Sequence, residues 1–396
     1  MAHDDTKLVH TGRKPQDNFG VVNPPLYRAS TILHPTLESW EGRKDGKNVH
    51  KIGHREVVYG LMGTPTQFSL MDALTALENG HDTLLVPSGM AACGICFLAL
   101  AEPGAHFLVP DNNYLPVRNL ANGHLKRIGC ETTFYNPTIT EQEMAALIRP
   151  ETKLVWTESP GSLTFEMPDL RGIVAAARAK GVLTGTDNTY GAGYYLKPID
   201  LGIDFSAHAL TKYPCGGSDT MLGSVTTRTR EQFDLIQDTY FAMGYSVSPD
   251  DAYTVQRGLR SMPTRLRQHY QNGLKVAEWL MDQPAVTRVL HPAMPHDPGH
   301  EIWKRDFTGA NGLFAIIVDA PDRNRLKAMV ENLELFGIGA SWGGYESLIT
   351  TAYPDKIRTA VPWTEEGQLL RIHVGLEDPD DLIADLKAGF DRLAGR

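Results

Sequence analysis

Cysteine is scarce in this chain: Cys93, Cys96, Cys130 and Cys215 are the only four among 396 residues. That is too few for a disulfide-stapled scaffold of this length. Cys93 and Cys96 have the C-x-x-C spacing of redox and zinc sites, but zinc wants a second pair of ligands, and the other two cysteines stand alone. We expect four free thiols, with Cys93 and Cys96 packing as small apolar side chains one helical turn apart, and no metal.

Positive charge is in deficit as well, 38 Lys and Arg against 47 Asp and Glu for a net charge of −9. Without a basic stripe, neither nucleic acid nor an anionic membrane surface is a fitting partner, and a small-molecule substrate is expected. The opening "MAHDDTKLVHTGRK" has no apolar core and no small-residue cleavage site, so we expect no secretory leader and a cytoplasmic protein. One uncharged run, "TLLVPSGMAACGICFLALA" at 83–101, approaches the roughly 20 residues that a membrane helix needs. Its punctuation argues otherwise. Thr83 to Val86 favours a strand, Pro87-Ser88-Gly89 a turn, and Met90 to Ala101 a buried helix.

What the chain does have is 42% hydrophobic residues, enough for two or three packed domains, with no repeat or low-complexity linker. Residues 1–62, with scattered prolines and few periodic runs, read as an extended arm packing on a neighbouring subunit. From 63 to 258 strands alternate with helices: strand 83–86, helix 90–101, strand 106–109, helix 115–125, "ETTFY", helix 140–148, strand 153–157, helix 169–180 and strand 182–186. That alternation predicts an α/β domain with a mostly parallel sheet. Asp169 is placed to cap the helix at 169–180, and Gly181 to end it. From 259 to 396 a smaller α+β domain is expected: helix 265–282, strand 312–318, helix 323–335, a short strand before Ser341, strand 368–374, and a last helix started by Asp378-Pro379.

In open parallel sheets ligands collect beyond the carboxyl ends of the strands, where three motifs fall. "PSGMAA" at 87–92 turns a strand into a helix, so the N–H groups of Gly89 and Met90 can face an anion; a plain tight turn is the alternative. "TDNTYGAGY" at 186–194 leaves Asp187 at a strand end with no basic neighbour, unless it merely caps its loop. "TKYPCGG" follows, with Thr211 and Lys212; most such lysines are solvated surface charges. Taken together, an anion cradle, a strand-end carboxylate and a lysine among small residues are what pyridoxal phosphate (PLP) requires.

With "SGMAA", "DNTYGAGY", "TKYPCGGSD" and "SWGGYESL" in this order, the sequence resembles the PLP-dependent enzymes of cysteine and methionine metabolism over nearly its whole length. The resemblance implies a PLP-dependent transferase of fold type I, similar to aspartate aminotransferase. Within it, Lys212 matches the Schiff-base lysine, Asp187 the partner of the pyridine nitrogen, and Gly89, Met90 and Thr211 the phosphate donors. Tyr114, in "DNNYLP", matches the tyrosine stacked on the cofactor ring. Tyr59, in "VYGLMGTPT", matches a tyrosine reaching the phosphate of the neighbouring subunit. Ser341, Trp342 and Arg371 match residues around the substrate's α-carboxylate. Arg371 also argues for itself, since a guanidinium alternating with Leu370 and Ile372 in a strand wants a planar carboxylate, whether substrate or structural.

Trp342 and "ESPGSL" at 158–163 are similar to the β-cleaving branch. The implied reaction is α,β-elimination of L-cystathionine, and of cystine-like substrates, in methionine biosynthesis; the γ-cleaving or γ-replacing branches are the alternative. A homotetramer of dimers with shared active sites is implied too. One departure stands out: many relatives have an arginine where this chain has Leu61, and Arg55 lies nearby in sequence. A different class of reading rests on Gly339-Ala340-Ser341-Trp342-Gly343, which fits the G-x-S-x-G elbow of serine hydrolases, with His373 and Asp378 downstream.

Overall fold

The computed structural model describes residues 2–41 and 55–396. Seven strands form the larger sheet: β1 Asp82–Val86, β2 His106–Pro110, β3 Glu131–Tyr135, β4 Thr152–Glu158, β5 Leu183–Asp187, β6 Phe205–Ala209 and β7 Gly223–Thr227. Their order is β1-β7-β6-β5-β4-β2-β3, and only β7 runs against its neighbours. The carboxyl ends of the other six therefore share one edge. Both faces are covered by helices, and most strand residues are buried, including polar ones such as Thr83, Thr186, Ser206 and His208.

The smaller sheet, in the order β10-β11-β12-β9-β8, comprises β8 Val286–Leu290, β9 Leu313–Val318, β10 Gly337–Ile338, β11 Leu348–Ala352 and β12 Gln368–His373. All its pairings are antiparallel except β10 with β11. Helices 323–330 and 379–393 cover its core face with Leu326, Met329, Leu382 and Leu386. The Asp378 carboxylate accepts from Asp380 N–H at 2.9 Å and Pro379 occupies the first turn, as the sequence indicates.

Two expected helix boundaries have other causes, or other positions, than the sequence implied. The helix expected from 265 instead runs from Pro249 to Met281, straight across Pro263 and across the domain edge placed at 258/259. An interior proline costs about 3 kcal/mol. Here Leu259, Met262 and Leu266 are buried in the large core and Val276, Ala277 and Leu280 in the small one, so one amphipathic face outweighs that cost and joins the two cores. Asp169 does precede the helix at 170–179, but its side chain makes no capping bond; it pairs with Arg305 at 2.8 Å.

Of the amino-terminal stretch, residues 42–54 lie outside the described residues. Asp4–His10 is a short helix rather than an extended arm. Leu8 is buried, and Arg260 of the long helix bonds the carbonyls of Leu8 and Thr11. Beyond it, Phe19, Val21, Val22, Leu33 and Leu37 are exposed. The 83–101 run is β1, a turn and the helix Gly89–Leu98, and among the described residues no helix is long and apolar enough to cross a membrane.

Candidate active site

A cavity of about 550 Å³ opens where the shared strand edge meets the smaller sheet. Gly89 and Met90 follow β1, Tyr114 follows β2, Glu158 ends β4, Asp187 ends β5, and Thr211 and Lys212 follow β6; all line it, together with Ser341, Trp342 and Arg371 from the smaller sheet. Of the ten residues singled out in the sequence, only Tyr59 is absent from the wall, standing 47% exposed in extended backbone.

The side chains divide into an anion end and an acid end. At the first, the helix Gly89–Leu98 begins with Ser88 as its cap, and the Gly89 and Met90 N–H groups have no acceptor within the helix. A Cβ at Gly89 would collide with Ala209, so only glycine lets this helix end approach β6. Thr211 lines the same end, but its hydroxyl is already engaged with Leu222, accepting its N–H at 3.1 Å and lying 3.3 Å from its carbonyl.

At the acid end Asp187 accepts from Thr189 N–H at 3.0 Å, Thr189 Oγ1 at 2.5 Å and Cys93 Sγ at 3.5 Å, none of them a cation. Loss of solvent pushes its carboxyl above the usual range, against the pull of these donors. Cys93 is thus more than packing. Glu158, opposite Asp187 in the β4–β5 register, accepts the Tyr114 N–H at 2.6 Å and the Ser162 hydroxyl at 2.5 Å. Burial, then the Asp187 charge, raise it well above the carboxylate norm. In the sequence Glu158 stands out only as part of "ESPGSL"; its place at the end of a parallel strand is the signal that marks it as a site residue.

Between the two ends stands Lys212. Its Nζ donates to Ser341 Oγ at 2.6 Å and lies 5.3 Å from the centroid of the Trp342 ring. Burial, with the Arg371 charge adding to it and Asp187 opposing, pushes its amine down to about 8. Gly343, with φ +84, brings the 341–344 turn against the Lys212 backbone, where a Cβ would come within 3.0 Å of Lys212 Cβ. Arg371 donates to the carbonyls of Gly339 and Ser341 at 3.0 Å each; its Nε has no partner, and burial alone lowers its pKa. No carboxylate neutralises it among the described residues.

Those orphaned groups define what fits. An unpaired guanidinium N–H, a carboxylate lacking a cation, a free helix N-terminus and a depressed lysine are a donor set for a phosphorylated pyridine aldehyde together with an amino acid. The buried Asn113 amide, also unpartnered, adds a further polar contact on the wall. The serine-hydrolase reading fails on the same geometry: Ser341 is bonded to Lys212, His373 Nε2 accepts the Gly343 N–H at 3.1 Å, and no helix follows the turn. The four cysteines are buried and form no disulfide, and the described residues hold no cluster of potential metal ligands.

Arg55 does not point to this cavity. It pairs with Asp72 at 2.7 Å and Asp82 at 2.6 Å on its own subunit.

The profile of the family described as Cys/Met metabolism PLP-dependent enzyme matches residues 5–391. The chain is 42% identical to cystathionine beta-lyase MetC of Escherichia coli over 395 residues, 98% of each chain. It is 38% identical to an L-alanine/L-glutamate racemase of Wolbachia pipientis, over 98% of this chain and 97% of that one. The crystal structure of metB from Corynebacterium glutamicum superposes with a TM-score of 0.88 at 28% identity, covering 99% of both chains.

Proposed function

Because the chain belongs to the Cys/Met metabolism PLP-dependent enzymes, we propose that it cleaves L-cystathionine by α,β-elimination, yielding with one water homocysteine, pyruvate and ammonia. The observation that carries the reading is the Lys212 amine, depressed to about 8 and held 2.6 Å from Ser341 between an unpaired guanidinium and a carboxylate lacking a cation. Several relatives about 40% identical over nearly the full length are cystathionine beta-lyases, which supports the choice of substrate and bond.

Gly89, Met90 and Thr211 would hold the cofactor's phosphate, with Tyr59 reaching it from the neighbouring subunit, Asp187 its ring nitrogen, Tyr114 its ring face and Lys212 its aldehyde. Bound there, PLP supplies an electron sink for the charge left at Cα. Arg371 fixes the substrate's α-carboxylate in a fork. Lys212, once its amine is free, takes the Cα proton, and its low pKa keeps a useful neutral fraction near pH 7. Ser341 steers that amine by accepting its hydrogen bond. Trp342 covers it and keeps bulk water from the reacting atoms. The thiolate then leaves Cβ.

The exposed apolar residues of the 12–41 stretch and the absence of exposed Tyr59 from the wall of its own cavity support a shared-site dimer, and we take two dimers to form a tetramer. Four free thiols suit a reducing compartment, the cytoplasm. The test is thiol release from L-cystathionine by the wild type and by Lys212→Ala. Release by the wild type alone supports the reading; equal release by both, or by neither, overturns it.

A further inference from the structure

The cavity wall contains a second guanidinium. After β11 the chain runs through residues 353–367, and Pro354, Ile357 and Arg358 of this segment line the cavity. The segment is pinned. The fully buried Asp111 carboxylate, just past β2, accepts the N–H groups of Thr359 at 3.0 Å, Ala360 at 2.8 Å and Val361 at 2.8 Å, and pairs with buried Arg118. Arg118 also donates to Thr359 Oγ1 at 3.2 Å. Arg358 is therefore held by a rigid backbone, not a waving loop.

Its side chain is 4% exposed. Nη2 serves Thr164 Oγ1 at 2.7 Å and the Glu166 carboxylate, and Trp363 flanks the guanidinium at 5.3 Å. Glu166 Oε2 accepts in addition from Asn112 Nδ2 at 2.9 Å and Thr164 Oγ1 at 2.7 Å, so one oxygen is shared among three donors. The buried Nε–H of Arg358 has no partner. A guanidinium offers five N–H donors in a planar fork, and leaving one buried and unsatisfied is costly unless a ligand completes it.

We propose that Arg358 binds a second carboxylate on the substrate, so that the cavity selects amino acids with an acid group at each end. The proposal rests on the proposed function in one respect, that Arg371 takes the α-carboxylate. The far end of L-cystathionine carries such a group. So do free dicarboxylic amino acids, which makes binding separable from cleavage.

The test uses two unreactive probes of equal chain length, L-2-aminoadipate and L-norleucine, neither with a leaving group on Cβ. Both are titrated calorimetrically into the PLP-loaded wild type, Arg358→Gln and Arg358→Lys. The wild type is expected to prefer the dicarboxylate by about tenfold or more, the worth of one charge-assisted hydrogen bond. Arg358→Gln loses that preference and keeps the wild-type dissociation constant for L-norleucine. Arg358→Lys keeps part of it, having the charge without the fork. An undiminished preference in Arg358→Gln, or none in the wild type, overturns the proposal. Should Arg358→Gln fail to fold, seen as loss of bound cofactor, Arg358→Lys decides alone: a preference cut severalfold supports the proposal, and an unchanged one overturns it. Absence of cleavage with the preference intact counts only against the proposed reaction.

Discussion

Asp187 and Glu158 stand opposite each other at the carboxyl ends of neighbouring parallel strands, one held by Thr189 and Cys93, the other by Ser162 and the backbone of Tyr114. Burial raises both carboxyls, the Asp187 charge raises Glu158 further, and no cation among the described residues bonds either one. Asp187→Asn should fold normally, because a neutral amide suits a desolvated position. It should turn over at least about a hundredfold more slowly, a loss of about 2.7 kcal/mol at the transition state. Comparing kcat and Tm of the two proteins checks this; equal kcat would remove Asp187 from the mechanism.

Lys212 titrates near 8, below the ordinary lysine value of 10.5, and only its neutral amine can condense with an aldehyde. About one molecule in ten is therefore competent at pH 7. Reconstituting the apoprotein with PLP should quicken about tenfold from pH 6 to 7 and level off above 8. Borohydride reduction should then place the cofactor on the peptide containing Lys212. Lys212→Ala should still bind the cofactor noncovalently and lose elimination. A rate still climbing at pH 10, or a label on another lysine, contradicts the assignment.

Much of this could be read from the chain. The strand-turn-helix at 83–98 and the final helix from Pro379 follow from turn and cap chemistry that is local in sequence. β6, β7, β8 and β11 were not legible: "FSAHA" and "GSVTT" hold mostly small residues, and "VTRVL" and "LITTA" mix polar with apolar residues without strict alternation. The cavity wall made by Arg358 was invisible for a different reason: its backbone is fixed by Asp111, some 250 positions away, and no local pattern records such a contact. Cys93 was read correctly as buried, but its bond to Asp187 depends on how a helix packs against a strand end.

Leu61 sits in the short turn Gly60–Met62 next to exposed Tyr59, and Arg55, the nearest candidate substitute, is committed to Asp72 and Asp82. Leu61→Arg should therefore tighten PLP binding by about tenfold to a hundredfold, the worth of one charge-assisted bond of roughly 1.5–3 kcal/mol. The cofactor dissociation constant checks this. An unchanged constant in a folded variant means that the phosphate is already satisfied.

Beneath the site, Glu78 is buried 3.2 Å from the His208 imidazole. Burial pushes its carboxyl up to about 7, against an ordinary value of 4.5. Between those values the folded state holds a proton that the unfolded state releases, so stability falls as pH rises through the window. Glu78→Gln removes this contribution. Its Tm relative to wild type should improve by a few degrees from pH 5 to 8, and a constant difference would show that Glu78 does not titrate there.

On the proposed reading this cavity breaks the bond between sulfur and Cβ, on the side of the substrate that Arg371 would grip. Product analysis with L-cystathionine tests it most directly. Homocysteine and pyruvate in equal amounts are predicted, whereas cysteine with 2-oxobutyrate would place the cut at Cγ and contradict it.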